Sequence, residues 1–288
     1  MKVLCSRTYK VRAAGFKVRA AVQGAVLAAL VFVSAPLAAQ WLDYPTPGVP
    51  KNADGSPNLN APAARTADGK PDLSGIWRPE RNQVCPPDGC PDNQMSEQFL
   101  DIGWGLKAGL PYQPWAAALV KERSEQYGKD DPTASCLPGG IVRLHTYPTL
   151  NKIVQTPGEI VILSEREVTY RQIFMDGRPL PVDPLPTWKG YSVGHWDGDT
   201  LVVESNGFRN DGIWLDRKGS PLTDAATITE RIRRVNYGRM EAQVTVNDPK
   251  AYTAPWTVTL NEYIAINTEL LDFVCLENNT DAPHLVGK

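Results

Sequence analysis

The chain is poor in the residues that most often carry reaction chemistry: 3 histidines, 5 cysteines and 4 methionines in 288 residues. The histidines, His145, His195 and His284, are far apart, and no H-x-H or H-E-x-x-H spacing joins them, so no zinc motif is formed. The cysteines lack the paired C-x2-C knuckles of structural zinc sites. No metal or other cofactor is therefore expected. For nucleophilic catalysis, the G-x-S-x-G nucleophile elbow is expected to be missing as well. Basic excess is missing as well: 30 Lys and Arg stand against 32 Asp and Glu, a formal net charge of −2, which argues against nucleic acid as a partner.

Acid is absent from the first 39 residues. Lys2, Arg7, Lys10, Arg12, Lys17 and Arg19 are followed by an uncharged stretch, residues 20–39, that ends in small side chains before Gln40. This is the order of a secretory signal peptide, with cleavage expected after Ala39. A membrane anchor would need about 20 predominantly apolar residues, and here Gln23, Gly24, Ser34 and Pro36 interrupt the run. No cysteine follows for lipid attachment, and no Arg-Arg pair precedes it. Removal of residues 1–39 would leave 24 bases against 32 acids, a formal −8, on a chain with no later stretch apolar enough to span a membrane. A periplasmic or secreted location is expected.

An oxidising compartment bears on the cysteines. Cys5 lies in the leader, which leaves Cys85, Cys90, Cys136 and Cys275. Of the possible pairings, Cys85 with Cys90 across a Pro-Pro-Asp-Gly loop, and Cys136 with Cys275, are favoured. The second closes a long loop, worth on the order of 4 kcal/mol through the unfolded chain.

Residues 40–70 are rich in Pro, Ala, Asn and Gly and read as an extended arm. They hold one echo, Asp54-Gly55-Ser56-Pro57-Asn58-Leu59 against Asp68-Gly69-Lys70-Pro71-Asp72-Leu73. Residues 71–288 read as one β-barrel domain whose first part, 71–150, carries a strand at 75–78, the cysteine loop and helical character at 96–102 and 114–127. On the second helix, Trp115, Ala118, Leu119 and Glu122 share a face.

From residue 152 the apolar pattern has period two. Strands are expected at 152–155, 160–165, 168–175, 191–196, 200–206, 228–236, 241–247, 256–264 and 270–276, separated by Pro-Gly, Asp-Gly, Tyr-Gly and Asp-Pro turns. Tight turns imply an antiparallel up-and-down meander. Closure into a lipocalin-like barrel would hide its edges and enclose room for one small ligand. A β-sandwich is the alternative.

Several segments together resemble a large family of exported bacterial proteins, found in acidobacteria and some proteobacteria, to which no activity is assigned. They include Pro71-Asp72-Leu73-Ser74-Gly75-Ile76-Trp77, Cys136-Leu137-Pro138, Gln155-Thr156-Pro157-Gly158, Met175-Asp176-Gly177-Arg178, Pro186-Thr187-Trp188 and the run GHWDGDTLVV at 194–203. The resemblance implies export but carries over no catalytic residue. Members often have histidine where this chain has Leu180, and another near Ala226.

Candidate site residues come from charges inside apolar strands and from two long connections. Arg171, Glu204 and Glu230 interrupt strand patterns and are the candidates for orienting an anionic group and moving a proton. Asp183 and Trp188 lie in the connection 177–190, and Trp214 and Asp216 in 207–226; long loops of this kind can cover a binding mouth, with the tryptophans as flat walls. The expected function is an exported barrel binding an apolar, aromatic or sugar-like molecule. Alternatives are a periplasmic lyase, isomerase or hydrolase acting on a carbohydrate or aromatic metabolite through a carboxylate, and an envelope interaction module.

Overall fold

The computed structural model describes residues 44–82, 95–166, 169–275 and 277. The expected leader and the Cys85–Cys90 pair lie outside these residues.

Alternating apolar residues build nine strands: β1 (Gly75–Pro79), β2 (Asn151–Gln155), β3 (Glu159–Ser164), β4 (Thr169–Phe174), β5 (Tyr191–Asp197), β6 (Thr200–Asn206), β7 (Thr227–Arg234), β8 (Arg239–Asn247) and β9 (Trp256–Ile264). They close into a barrel in sequence order, β9 pairing back onto β1 through Trp77 opposite Ile264. The fold is thus mainly β, a closed barrel of the kind the alternation predicts, with two α-helices among the described residues, α1 (Glu97–Leu100) and α2 (Pro114–Glu125).

Three details differ from expectation. The segment 270–276 forms no strand where it is described; Phe273 makes a single bridge to Arg166, and closure falls to β1 instead. Along α2 the buried residues are Ala116 and Val120, while Trp115 is exposed and donates its indole N–H to the Lys250 carbonyl at 2.7 Å.

The third difference is direction. Eight neighbouring pairs are antiparallel, but β4 and β5 are parallel and share one registered pair, Phe174 with Val193. Parity requires this. Directions cannot alternate all the way round a ring of nine strands, so at least one neighbouring pair must run together. The long connection 175–190 carries the chain from the end of β4 back to the end where β4 began, which is why it is long.

Inward side chains fill the lumen: Trp77, Ile153, Ile160, Ile162, Ile173, Leu201, Val203, Ile228 and Val244 are all buried in one core cluster. One barrel end is capped by residues 96–150 and the connection 207–226. Arg143 ties these together, with its guanidinium on both Asp131 oxygens at 2.9 Å and on the Asp216 carbonyl at 2.5 Å. Burial pushes the Asp131 carboxyl up, but the adjacent Arg143 charge and the hydrogen bonds from Arg143 and Thr133 together outweigh it and hold it below its usual range. Cys136 and Cys275 form the expected disulfide.

The arm covers the other end, and its echo is structural. Thr66 N–H bonds the Lys70 carbonyl at 2.9 Å as Asn52 N–H bonds the Ser56 carbonyl at 2.8 Å; Asp72 N–H reaches the Ala64 carbonyl as Asn58 N–H reaches the Pro50 carbonyl. The arm is two like hairpins rather than an extended strand. Gly55 and Gly69 have φ +83° and +82°, the left-handed conformation that these turns require.

Candidate functional site

Strand phase decides which charges enter the barrel. On β4 Arg171 shares the inward phase of Ile173; on β7 Glu230 lies between Ile228 and Ile232; on β9 Glu262 lies between Leu260 and Ile264. A fourth group, His145, enters from a single 3-10 turn, Val142–His145, in the capping segment. All four are nearly inaccessible, at 1 to 4% exposure.

They form one chain of alternating charge. Arg171 grips Glu230 with two guanidinium nitrogens, Nη1 at 2.9 Å from Oε1 and Nη2 on Oε2. His145 Nε2 stands 2.7 Å from Glu230 Oε1, and its Nδ1 stands 2.6 Å from Glu262 Oε1. Burial alone would discharge the ring, but Glu262 and Glu230 outweigh it and raise the His145 pKa to about 9. Burial likewise disfavours the Glu230 carboxylate, yet Arg171 and His145 lower its pKa to about 2. At neutral pH His145 is thus held protonated and Glu230 ionised, so that each of these buried charges faces an opposite one.

Arg171 also orders two hydroxyls. Its Nε and Nη2 donate to Ser192 Oγ at 3.2 Å, Nη2 donates to Ser205 Oγ at 3.1 Å, and the two hydroxyls are 2.8 Å apart. Ser192 is the centre of Gly190-Tyr191-Ser192-Val193-Gly194, which matches the spelling G-x-S-x-G. The spelling is therefore present in the chain, contrary to the expectation that it is missing. The context is wrong for a nucleophile elbow, which needs a strand-to-helix turn exposing the serine. Here Ser192 lies within β5 and is buried, with an arginine and a serine at its hydroxyl and no base.

Arg171 and Ser192 also reach the wall. Over the β4–β5 seam lies a cavity of about 420 Å³, with Arg171 and Ser192 among its lining and Trp188, Tyr191, Phe174 and Tyr170 as aromatic walls. Two arginines lie against these walls. Arg209 lies 4.6 Å from the Trp188 ring, and Arg178 lies 4.0 Å from the Phe174 ring while donating to the Tyr191 hydroxyl at 2.9 Å. Gly190, φ +65°, immediately precedes β5 at a point where an added Cβ would meet the Asn206 carbonyl oxygen at 2.5 Å and the Phe208 ring at 2.7 Å. Only glycine lets the chain turn into the seam here.

Of the residues expected at the site, Arg171 and Glu230 meet inside the barrel and Trp188 lines the seam cavity. The others go elsewhere. Glu204 is exposed on the outer face of β6, because Leu201, Val203 and Ser205 take the inward phase. Asp183 is exposed on the connection 177–190. Trp214 is buried under Arg123, 4.3 Å from its ring, rather than at a mouth. Asp216 accepts from Ile102 N–H at 2.9 Å, Ser220 N–H at 3.0 Å and the Ser220 hydroxyl at 2.7 Å; it fastens the capping segment, and burial raises its pKa. The two long connections do meet, through a bridge between Thr187 and Phe208.

Among the described residues, no group of three or more His, Cys, Asp or Glu is arranged to hold a metal ion, and no helix is long and apolar enough to cross a membrane. Comparison of the chain with protein-family models, with curated proteins and with solved structures returned no match.

Proposed function

We propose that the protein is an exported small-molecule-binding barrel whose ligand is ring-bearing, aromatic or sugar-like, and is seated in the cavity over the β4–β5 seam. The single observation that carries the reading is that cavity: about 420 Å³ of concave space with Trp188, Tyr191, Phe174 and Tyr170 as walls and Arg171 and Ser192 among its lining. Its volume suits a molecule of one or two rings, and flat aromatic faces favour stacking on a ring. Export is supported by the charge order of residues 1–39, by the Cys136–Cys275 disulfide and by the resemblance to exported bacterial proteins.

Binding is favoured over acid–base catalysis because the candidate carboxylates are committed or misplaced. Glu230 spends both oxygens on Arg171 and His145 and stays ionised far below neutral pH, whereas a general acid or base works best with a pKa near it. Glu204 faces the opposite side of the sheet.

A thermal-shift screen of aromatic acids, phenols and mono- and disaccharides tests the proposal. A specific ligand at 100 times its Kd adds about 2.7 kcal/mol. Trp188→Ala is expected to abolish the shift and Trp214→Ala to keep it; a hit indifferent to Trp188→Ala would sink the seam assignment.

A further inference from the structure

The second hairpin of the arm roofs another cavity, of about 500 Å³, at the opposite end of the same seam. The roof is fastened at three points. Arg65 donates to both oxygens of Asp199 at 2.9 and 2.6 Å, and the Gln155 side chain accepts from Leu73 N–H at 2.8 Å while donating to the Pro71 carbonyl at 3.1 Å. Beneath it lie Pro157 from the β2–β3 turn, Met175 at the end of β4, and His195 and Trp196 from β5. Gly194 makes room for this floor: an added Cβ would stand 2.7 Å from Met175 Sδ and 2.9 Å from Ile173.

Most polar groups around this space are already engaged. Gln155 is used at both ends, and the Thr156 hydroxyl donates to the Glu159 carbonyl at 2.7 Å and accepts from its N–H at 3.1 Å. Asp68, on the roof, accepts from the Thr66 hydroxyl and has capacity for more. Among the described residues no lysine or arginine lines the cavity, although the Lys70 charge acts on Asp68 from the same turn. The result is a soft, polarisable enclosure of indole, imidazole, thioether and proline with a carboxylate at its rim, and that combination favours a positive charge carried on carbon-rich groups.

We propose that this cavity is a second binding site, taking a small organic cation of the alkylammonium class, with Trp196 as its aromatic face and Asp68 as its counter-charge. The assignment stands independently of the seam cavity near Trp188.

Isothermal titration with choline, and with its neutral isostere 3,3-dimethylbutan-1-ol, tests it. Choline is expected to bind saturably and at least about tenfold more tightly than the isostere, since one aromatic-cation contact in a partly dry site is worth around 1–2 kcal/mol. Trp196→Ala and Asp68→Asn should each weaken choline about tenfold or more; Asp68→Glu should retain it, as should Trp188→Ala. Asp68 lies on an exposed turn, so its variants are read against an unchanged thermal midpoint even if Trp196→Ala fails to fold. Equal affinity for the isostere, no saturable binding of choline, unchanged binding by Asp68→Asn, or loss of binding in Trp188→Ala would each overturn the proposal.

Discussion

His145 Nε2 lies 2.7 Å from Oε1 of Glu230, deep in the barrel and 85 residues away in sequence. The contact makes stability depend on pH, with a definite sign. The ring's folded pKa, about 9, lies above its ordinary 6.5, so its contribution is fully present below pH 6.5 and is lost as pH rises through about 9. Urea midpoints of the wild type and His145→Gln, followed from about pH 6 to about pH 10, should therefore converge as pH rises. Parallel curves would mean that the ring is neutral in the folded protein.

Breaking the Arg171–Glu230 pair should be costlier than removing it. Arg171→Met or Glu230→Leu alone strands a buried charge, with an expected loss of about 3–5 kcal/mol; the Arg171→Met, Glu230→Leu double variant should lose less than the sum of its singles. His145 complicates the double variant, because it then keeps only Glu262 as partner. Chemical denaturation of the set gives the coupling energy, and strict additivity would show that the pair does not act as a unit.

Gly190 and Gly198 both have positive φ, at +65° and +60°, but only Gly190 has neighbours where a Cβ would go. Gly198→Ala should cost about 1 kcal/mol, from the backbone conformation alone. Gly190→Ala adds overpacking of about 1–3 kcal/mol and should also disturb ligand binding at the seam. Equal unfolding midpoints for the two variants would contradict the close approach.

The Cys136–Cys275 bridge spans 139 residues. Chain entropy assigns it about 5 kcal/mol. The Cys136→Ala, Cys275→Ala variant is expected to fall in stability by an amount of that order, and reductant should lower the melting temperature of the wild type by more than that of the variant, which keeps Cys85 and Cys90. A variant as stable as the oxidised wild type would show that the tie contributes nothing.

Most of the barrel was legible because one face of each strand is dry. Leu201, Val203 and the even-numbered residues of β7 and β9 announce their phase by alternation. Glu204 was misjudged because Val202, also buried, blurs that phase on β6. Glu262 was detectable, since it breaks an apolar run at Trp256, Val258, Leu260 and Ile264 in the inward phase. His145 was not, because a single 3-10 turn in a segment without periodicity gives no sign of where its side chains point. The parallel seam was hidden for another reason: local patterns report strands, whereas direction conflicts are a property of the whole ring.

That conflict binds architecture to recognition. A barrel with one strand more or fewer could alternate completely, the return crossing 175–190 would be unnecessary, and Trp188, which rides on it, would have no wall to lean against. In such a lineage a change in strand number would not merely resize the cylinder; it would erase the proposed ligand seat together with the gap that made room for it.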